Sequence, residues 1–207
     1  MMIQTISRRV RYACGWAALM GLVQAASALT VQVHLVDQQA HPVSDAAVYA
    51  VPSDGKLPPA HPGTAIIDQI HRQYVPLVSI IQTGTSVSFP NKDNIEHDVY
   101  SFSPPKTFEL DLYSGVPSHP VVFDKPGLVV LGCNIHDSML AYVYVVDSPY
   151  VGKSDEQGVA RIDNLPPGNY EFRAWHYQLA DPAKLPNQRI SIGADASLSI
   201  ELPLKPQ

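Results

Sequence analysis

The sequence predicts an all-β protein, a β-sandwich or barrel, from three observations. Short stretches alternate apolar and polar residues with a period of two, the pattern of half-buried strands. Nineteen prolines and twelve glycines divide these stretches into turns. No long amphipathic helix pattern occurs after residue 28. A hydrophobic fraction of 45% against 16% charged residues belongs to a packed chain rather than a disordered one. An isoelectric point near 5.8 excludes the basic footprint of a nucleic-acid binder.

In chain order, residues 1–28 read as a secretory signal. Arg8, Arg9 and Arg11 precede a mostly apolar stretch at 12–23, and Ala26-Ser27-Ala28 supplies small residues for cleavage. The mature protein would begin at Leu29 in the periplasm, and no later segment is apolar enough to span a membrane. The signal carries three arginines and no acid, so its removal takes the net charge from -5 to -8. Residues 30–37 and 42–51 read as two strands, followed by strands at 69–75, 78–82 and 85–89. A polar loop at 90–96 leads to His97, which opens a strand at 97–102. A turn at Lys125-Pro126-Gly127 precedes a buried strand at 128–131, and 140–146 is the next. Residues 155–162 and 165–175 each read as a turn followed by a strand.

The chemistry lies between the strands at 128–131 and 140–146. The signal removes Cys14 and three of the four methionines, leaving one cysteine, Cys133, and one methionine, Met139. An unpaired cysteine in an exported protein is exposed to oxidation and needs a reason. Here His136 stands midway between the remaining thiol and the remaining thioether. Thiolate, imidazole and thioether together suit a soft, redox-active metal, and a His2Cys site with a weak axial Met is the blue-copper arrangement. Zinc is the alternative ion, although a structural zinc site has no use for the thioether. A Cys-His nucleophilic pair is the enzymatic alternative, and it too leaves Met139 without a role. A copper site needs a second histidine, and His97 at a strand end is held more rigidly than its rival His119 in a proline-flanked loop. His34, His71 and His176 read as strand-face side chains, and His41 and His61 as solvated loop residues.

Gln73-Tyr74-Val75-Pro76, the run from Gln82 through Asn91, His97-Asp98-Val99-Tyr100 and the Cys133, His136, Met139 spacing together resemble a cupredoxin, with a short ligand loop similar to that of amicyanin. The resemblance implies a Greek-key sandwich over residues 61–149 and one type 1 copper site, with His97, Cys133 and His136 as strong ligands and Met139 as the axial one. Two departures stand beside the site. Asp98 replaces the Asn common after the first histidine, and Ile135 replaces a Pro before the loop histidine. The Asp98 charge would lower the reduction potential and an Ile135 N–H bonded to sulfur would raise it, so the potential should differ from that of amicyanin. Residues 29–60 and 150–207 resemble a transthyretin-like, carboxypeptidase regulatory-like sandwich, which the copper module would interrupt. The whole chain also resembles exported proteins of the methylamine-utilization and plastocyanin-like type.

These resemblances imply a one-electron carrier rather than an enzyme. Its partner would be a c-type cytochrome or a dehydrogenase, steered by the acidity of the chain and by Asp93, Glu96 and Asp137 near the site. The alternative is a copper-handling or structural surface protein. An oxidase is disfavoured, because no His-x-His pair is present to build a trinuclear cluster.

Overall fold

The structure, a computed structural model, describes residues 28–206, so the export signal expected at 1–28 falls outside the described residues except for Ala28. Every regular element among the described residues is a strand, as the period-two patterning predicts. The chain opens with β1 (Leu29–Val36) and β2 (Ala47–Pro52). A middle series follows: β3 (Thr64–Ile66), β4 (Asp68–Ile70), β5 (Gln73–Val75), β6 (Val78–Gln82), β7 (Thr85–Ser88), β8 (His97–Ser103), β9 (Lys106–Tyr113), β10 (Val121–Phe123), β11 (Gly127–Gly132) and β12 (Leu140–Val146). The chain closes with β13 (Val151–Lys153), β14 (Val159–Leu165), β15 (Gly168–Trp175), β16 (Asn187–Ile192) and β17 (Ala196–Glu201). No helix among the described residues is long and apolar enough to cross a membrane.

The first and last strands fold together. In β1 the alternation buries Val31, Val33 and Leu35 completely while Gln32 faces solvent. Its neighbours are β14, antiparallel, and β17, parallel. The facing sheet has the order β13-β2-β15-β16. Its strand β2 is buried on both faces at Ala47, Val48 and Ala50, which explains its small side chains. Phe172, Ile162, Ile200 and Leu202 fill the core between the two sheets.

The middle strands build a second core. A five-stranded sheet of order β6-β12-β11-β8-β9 packs against a three-stranded sheet of order β10-β7-β3. Val87, Phe89, Val99, Phe123, Val129 and Leu131 lie between them. The two cores share a wall. Along β12, Ala141, Val143 and Val145 point into the middle core, while Tyr142 and Tyr144 turn to the other face and pack on the outer core. There Tyr144 stacks on Trp175 with centroids 5.0 Å apart, and Tyr142 stacks on Tyr177 at 5.1 Å.

Two local expectations are corrected. Residues 69–75 form a hairpin, β4 and β5, rather than one strand. His71 is therefore a turn residue, with φ of 54° at His71 and 58° at Arg72, the left-handed pair of a type I′ turn. Neither residue is the Gly or Asn that announces such a turn, which is why the break is silent in the sequence. His176 is the other correction. It lies one residue beyond β15 and is buried, not on a strand face, and its neighbour Trp175 is a core residue.

Candidate metal centre

His97 begins β8 at a register shift against β9 and is completely buried. Its Nε2 lies 2.8 Å from Asp93 Oδ2. Asp93 is itself held in place by the N–H groups of His71 at 2.7 Å and Arg72 at 2.9 Å, both donated from the β4–β5 turn. Partial burial would raise the Asp93 pKa, but the Arg72 N–H, the His97 ring and the His71 N–H outweigh it and bring the carboxyl down to about 2. An ionised Asp93 accepts a hydrogen bond from Nε2–H, which leaves the Nδ1 lone pair free on the other side of the ring. That Nδ1 is buried and has no hydrogen-bond partner. A buried imidazole nitrogen is rarely left unsatisfied unless it serves an ion.

The other candidates come from the β11–β12 loop. Cys133 follows Gly132 and Met139 precedes Leu140, so each is adjacent to a strand end, and both side chains are buried in the middle core. His136 lies at the half-exposed crest of the loop, where its carbonyl accepts the Met139 N–H at 2.9 Å. The rings of His97 and His136 meet edge to face with centroids 4.9 Å apart. Ligand atoms of His97, Cys133 and His136 all lie within 4.8 Å of one another, so the three side chains could hold a metal ion. Met139 joins Cys133 in the same buried cluster. His34 is half-buried on β1, while His41, His61 and His119 are exposed; none belongs to the group.

Asp98 ties the two halves of the site together. Its Oδ1 accepts the Cys133 thiol at 3.0 Å and the Asn134 N–H at 2.8 Å, and its Oδ2 accepts the Asn134 amide at 2.7 Å. Burial and the bond to Asp98 push the Cys133 thiol above its usual range, while the N–H of Ile135 acts in the opposite direction. The Tyr74 hydroxyl lies between the carbonyls of Asp98 at 3.1 Å and Gly132 at 2.9 Å, linking β5, β8 and β11. A Cβ at Gly132 would stand 2.6 Å from the tip of the Tyr100 ring, so a side chain there would require the ring to shift.

Sequence reasoning missed the roles of Asp93, Tyr74 and Asn134. Asp93 reads from the sequence as a steering charge near the site, and the structure commits it to His97 and the hairpin turn. The one available signal was its position four residues before His97, within a loop braced by the Asn91 side chain on the carbonyls of Ile95 and Tyr113.

No protein-family model matches the chain, and no curated protein matches it. Among solved structures, it is similar to a purple cupredoxin from Nitrosopumilus maritimus, at 23% identity over 40% of this chain and 99% of that one, with a TM-score of 0.36. It is also similar to a proline-to-glycine variant of amicyanin in its reduced Cu(I) form, at 17% identity over 42% of this chain and 86% of that one, with a TM-score of 0.37. A third similarity is to a copper-containing nitrite reductase from Thermus scotoductus, at 25% identity over 55% of this chain and 28% of that one, with a TM-score of 0.37.

Proposed function

We propose that this chain is an exported type 1 copper protein that carries single electrons between redox proteins. The observation that carries the reading is the buried, unpartnered Nδ1 of His97, gathered with Cys133 and His136, with Met139 buried in the same core as Cys133. Two imidazoles, a thiol and a thioether form a donor set suited to copper rather than to a hard cation. Bound copper would supply a Cu(II)/Cu(I) couple.

The chain's own residues supply the rest. Asp93 fixes the His97 ring and its tautomer. Cys133 gives up its thiol proton when it becomes a ligand, so metal uptake competes with protons. Asp98 and Asn134 hold the loop against β8, and Tyr74 holds β8 against β11, so the donors are positioned before an ion arrives. Burial of His97, Cys133 and Met139 closes the site to a substrate and favours a carrier over an enzyme. The half-exposed His136, beside Ile135, offers an edge for electron exchange with a c-type cytochrome or a dehydrogenase. The outer sandwich, transthyretin-like in its motifs, serves as a spacer, and the signal at 1–28 directs the protein to the periplasm.

An optical titration tests the proposal. The mature protein with Cu(II) is expected to show an intense visible thiolate-to-copper band that bleaches reversibly with reductant and is lost in Cys133→Ala. A colourless protein that binds only Cu(I) or Zn(II) would indicate metal handling or a structural role instead.

A further inference from the structure

We infer that the junction between the two sandwiches is an acid-operated latch, in which a proton taken up by the buried His176 ring frees Tyr177 from Tyr142 and opens the junction at that end. The latch involves neither the metal nor the carrier function. Its basis is the set of rings that joins the two cores. Tyr142 of β12 stacks on Tyr177 at 5.1 Å and 13°, and Tyr144 of β12 stacks on Trp175 at 5.0 Å and 14°. Tyr142 also meets Trp175 with centroids 5.8 Å apart, so the four rings form one cluster. His176 separates Trp175 from Tyr177 in the chain, and its ring lies 4.2 Å from that of Tyr177.

The surroundings of His176 admit only the neutral ring. Its Nδ1 accepts the Gln178 N–H at 3.2 Å, so a proton there would set one N–H against another. Only 3% of the residue is open to water, which cannot make good the loss. Around the ring stand Asp45, from the stretch before β2, and the Tyr177 phenol, with Tyr142 behind it. Asp45 is already paired with Lys153 of β13 at 2.7 Å. Burial opposes the charged ring more than Asp45 and the Ser44 backbone favour it. An imidazolium therefore has to turn towards water, and the backbone decides how far the movement reaches. Beyond the ring, the Gln178 carbonyl accepts the Lys205 N–H at 2.9 Å and the Ala180 N–H bonds the Pro203 carbonyl at 2.9 Å, while Trp175 is fixed as the last residue of β15. His176 and Tyr177 alone lie between these anchors, so the ring displaced with His176 is the one stacked on Tyr142. Opening returns His176 to water and to its ordinary pKa of 6.5. The open fraction should then rise about tenfold for each pH unit below 6.5 while the closed ring stays neutral.

The test follows Trp175, the one tryptophan from Leu29 onward, by fluorescence with acrylamide as quencher on the mature chain. Between about pH 8 and about pH 5, quenching should increase in a reversible one-proton step while far-ultraviolet circular dichroism still reports the full strand content. The His176 imidazole resonance in the NMR spectrum should titrate over the same range as the step. His176→Asn keeps an acceptor for the Gln178 N–H but takes no proton, and it should stay closed throughout. Tyr142→Leu removes the stack without touching His176, and it should move the His176 titration upward towards 6.5, because the closed state that excludes the proton is weakened. A step that persists in His176→Asn, a His176 titration displaced from the step, or a His176 titration unchanged in Tyr142→Leu would each overturn the inference. Absence of a step in wild type would overturn it as well, and so would strand signal lost together with the step, which is global unfolding.

Discussion

Asp93 decides which nitrogen of His97 is left free for the proposed metal. Without its carboxylate the buried ring loses its only hydrogen bond and its fixed tautomer. Asp93→Ala is therefore expected to weaken metal binding about 10- to 100-fold, as measured by competition with a chelator, with Asp93→Asn retaining more affinity because it still offers an acceptor. Asp98 and Ile135 act on the sulfur in opposite directions. The carboxylate beside Sγ favours the oxidised, more positive centre, so Asp98→Asn should raise the reduction potential. The Ile135 N–H withdraws charge from the sulfur, so Ile135→Pro should lower the potential. Voltammetry of the two variants and the double variant checks both signs.

Trp175 carries the junction between the two sandwiches. It ends β15, is buried, and stacks on Tyr144 of β12 with the rings 14° from parallel. Trp175→Ala would remove contacts from both cores' shared wall at a cost of about 3–5 kcal/mol, measured by denaturant unfolding. Because β12 also begins at Leu140, next to Met139, the same variant is expected to broaden the copper signal before global unfolding. The neighbouring His176 adds a pH dependence. Burial holds its pKa below the usual 6.5, and its Nδ1 accepts the Gln178 N–H at 3.2 Å, so it is neutral when folded. A depressed histidine contributes stability that is fully present above pH 6.5 and is lost as the pH falls towards its folded-state pKa. Melting curves should show stability declining as the pH drops below 6.5, and His176→Gln should flatten that decline.

Across the whole molecule, the net charge of -5, which would become -8 if the proposed signal is removed, is a long-range term. Association with a basic redox protein is therefore expected to slow steeply with ionic strength in stopped-flow measurements, and a salt-independent rate would contradict steering. Asp98 is buried beside Cys133, and the other acidic side chains of the described residues reach the surface. Among the described residues the sheet face around Phe102 and Tyr100 is one of the places where large apolar side chains remain exposed.

Strands β6 and β12 and the loop from Cys133 to Met139 were legible in the chain, because each rests on local pattern, period-two alternation or turn residues, and the strand-end position of His97 marked it as the histidine that the fold brings to Cys133 and His136. The turn at His71 and Arg72 was not legible, since its left-handed backbone is stabilised by Asp93 from another loop rather than by its own side chains. Likewise β17 lies parallel to β1 from the opposite end of the sequence, and Tyr74 reaches two strands that are remote in sequence. Which residues could serve as donors is a property of residue type and spacing. The orientation of His97 by Asp93, the close approach of Tyr100 to Gly132 and the wall shared by two cores depend on contacts between distant segments, so only the folded chain decided them.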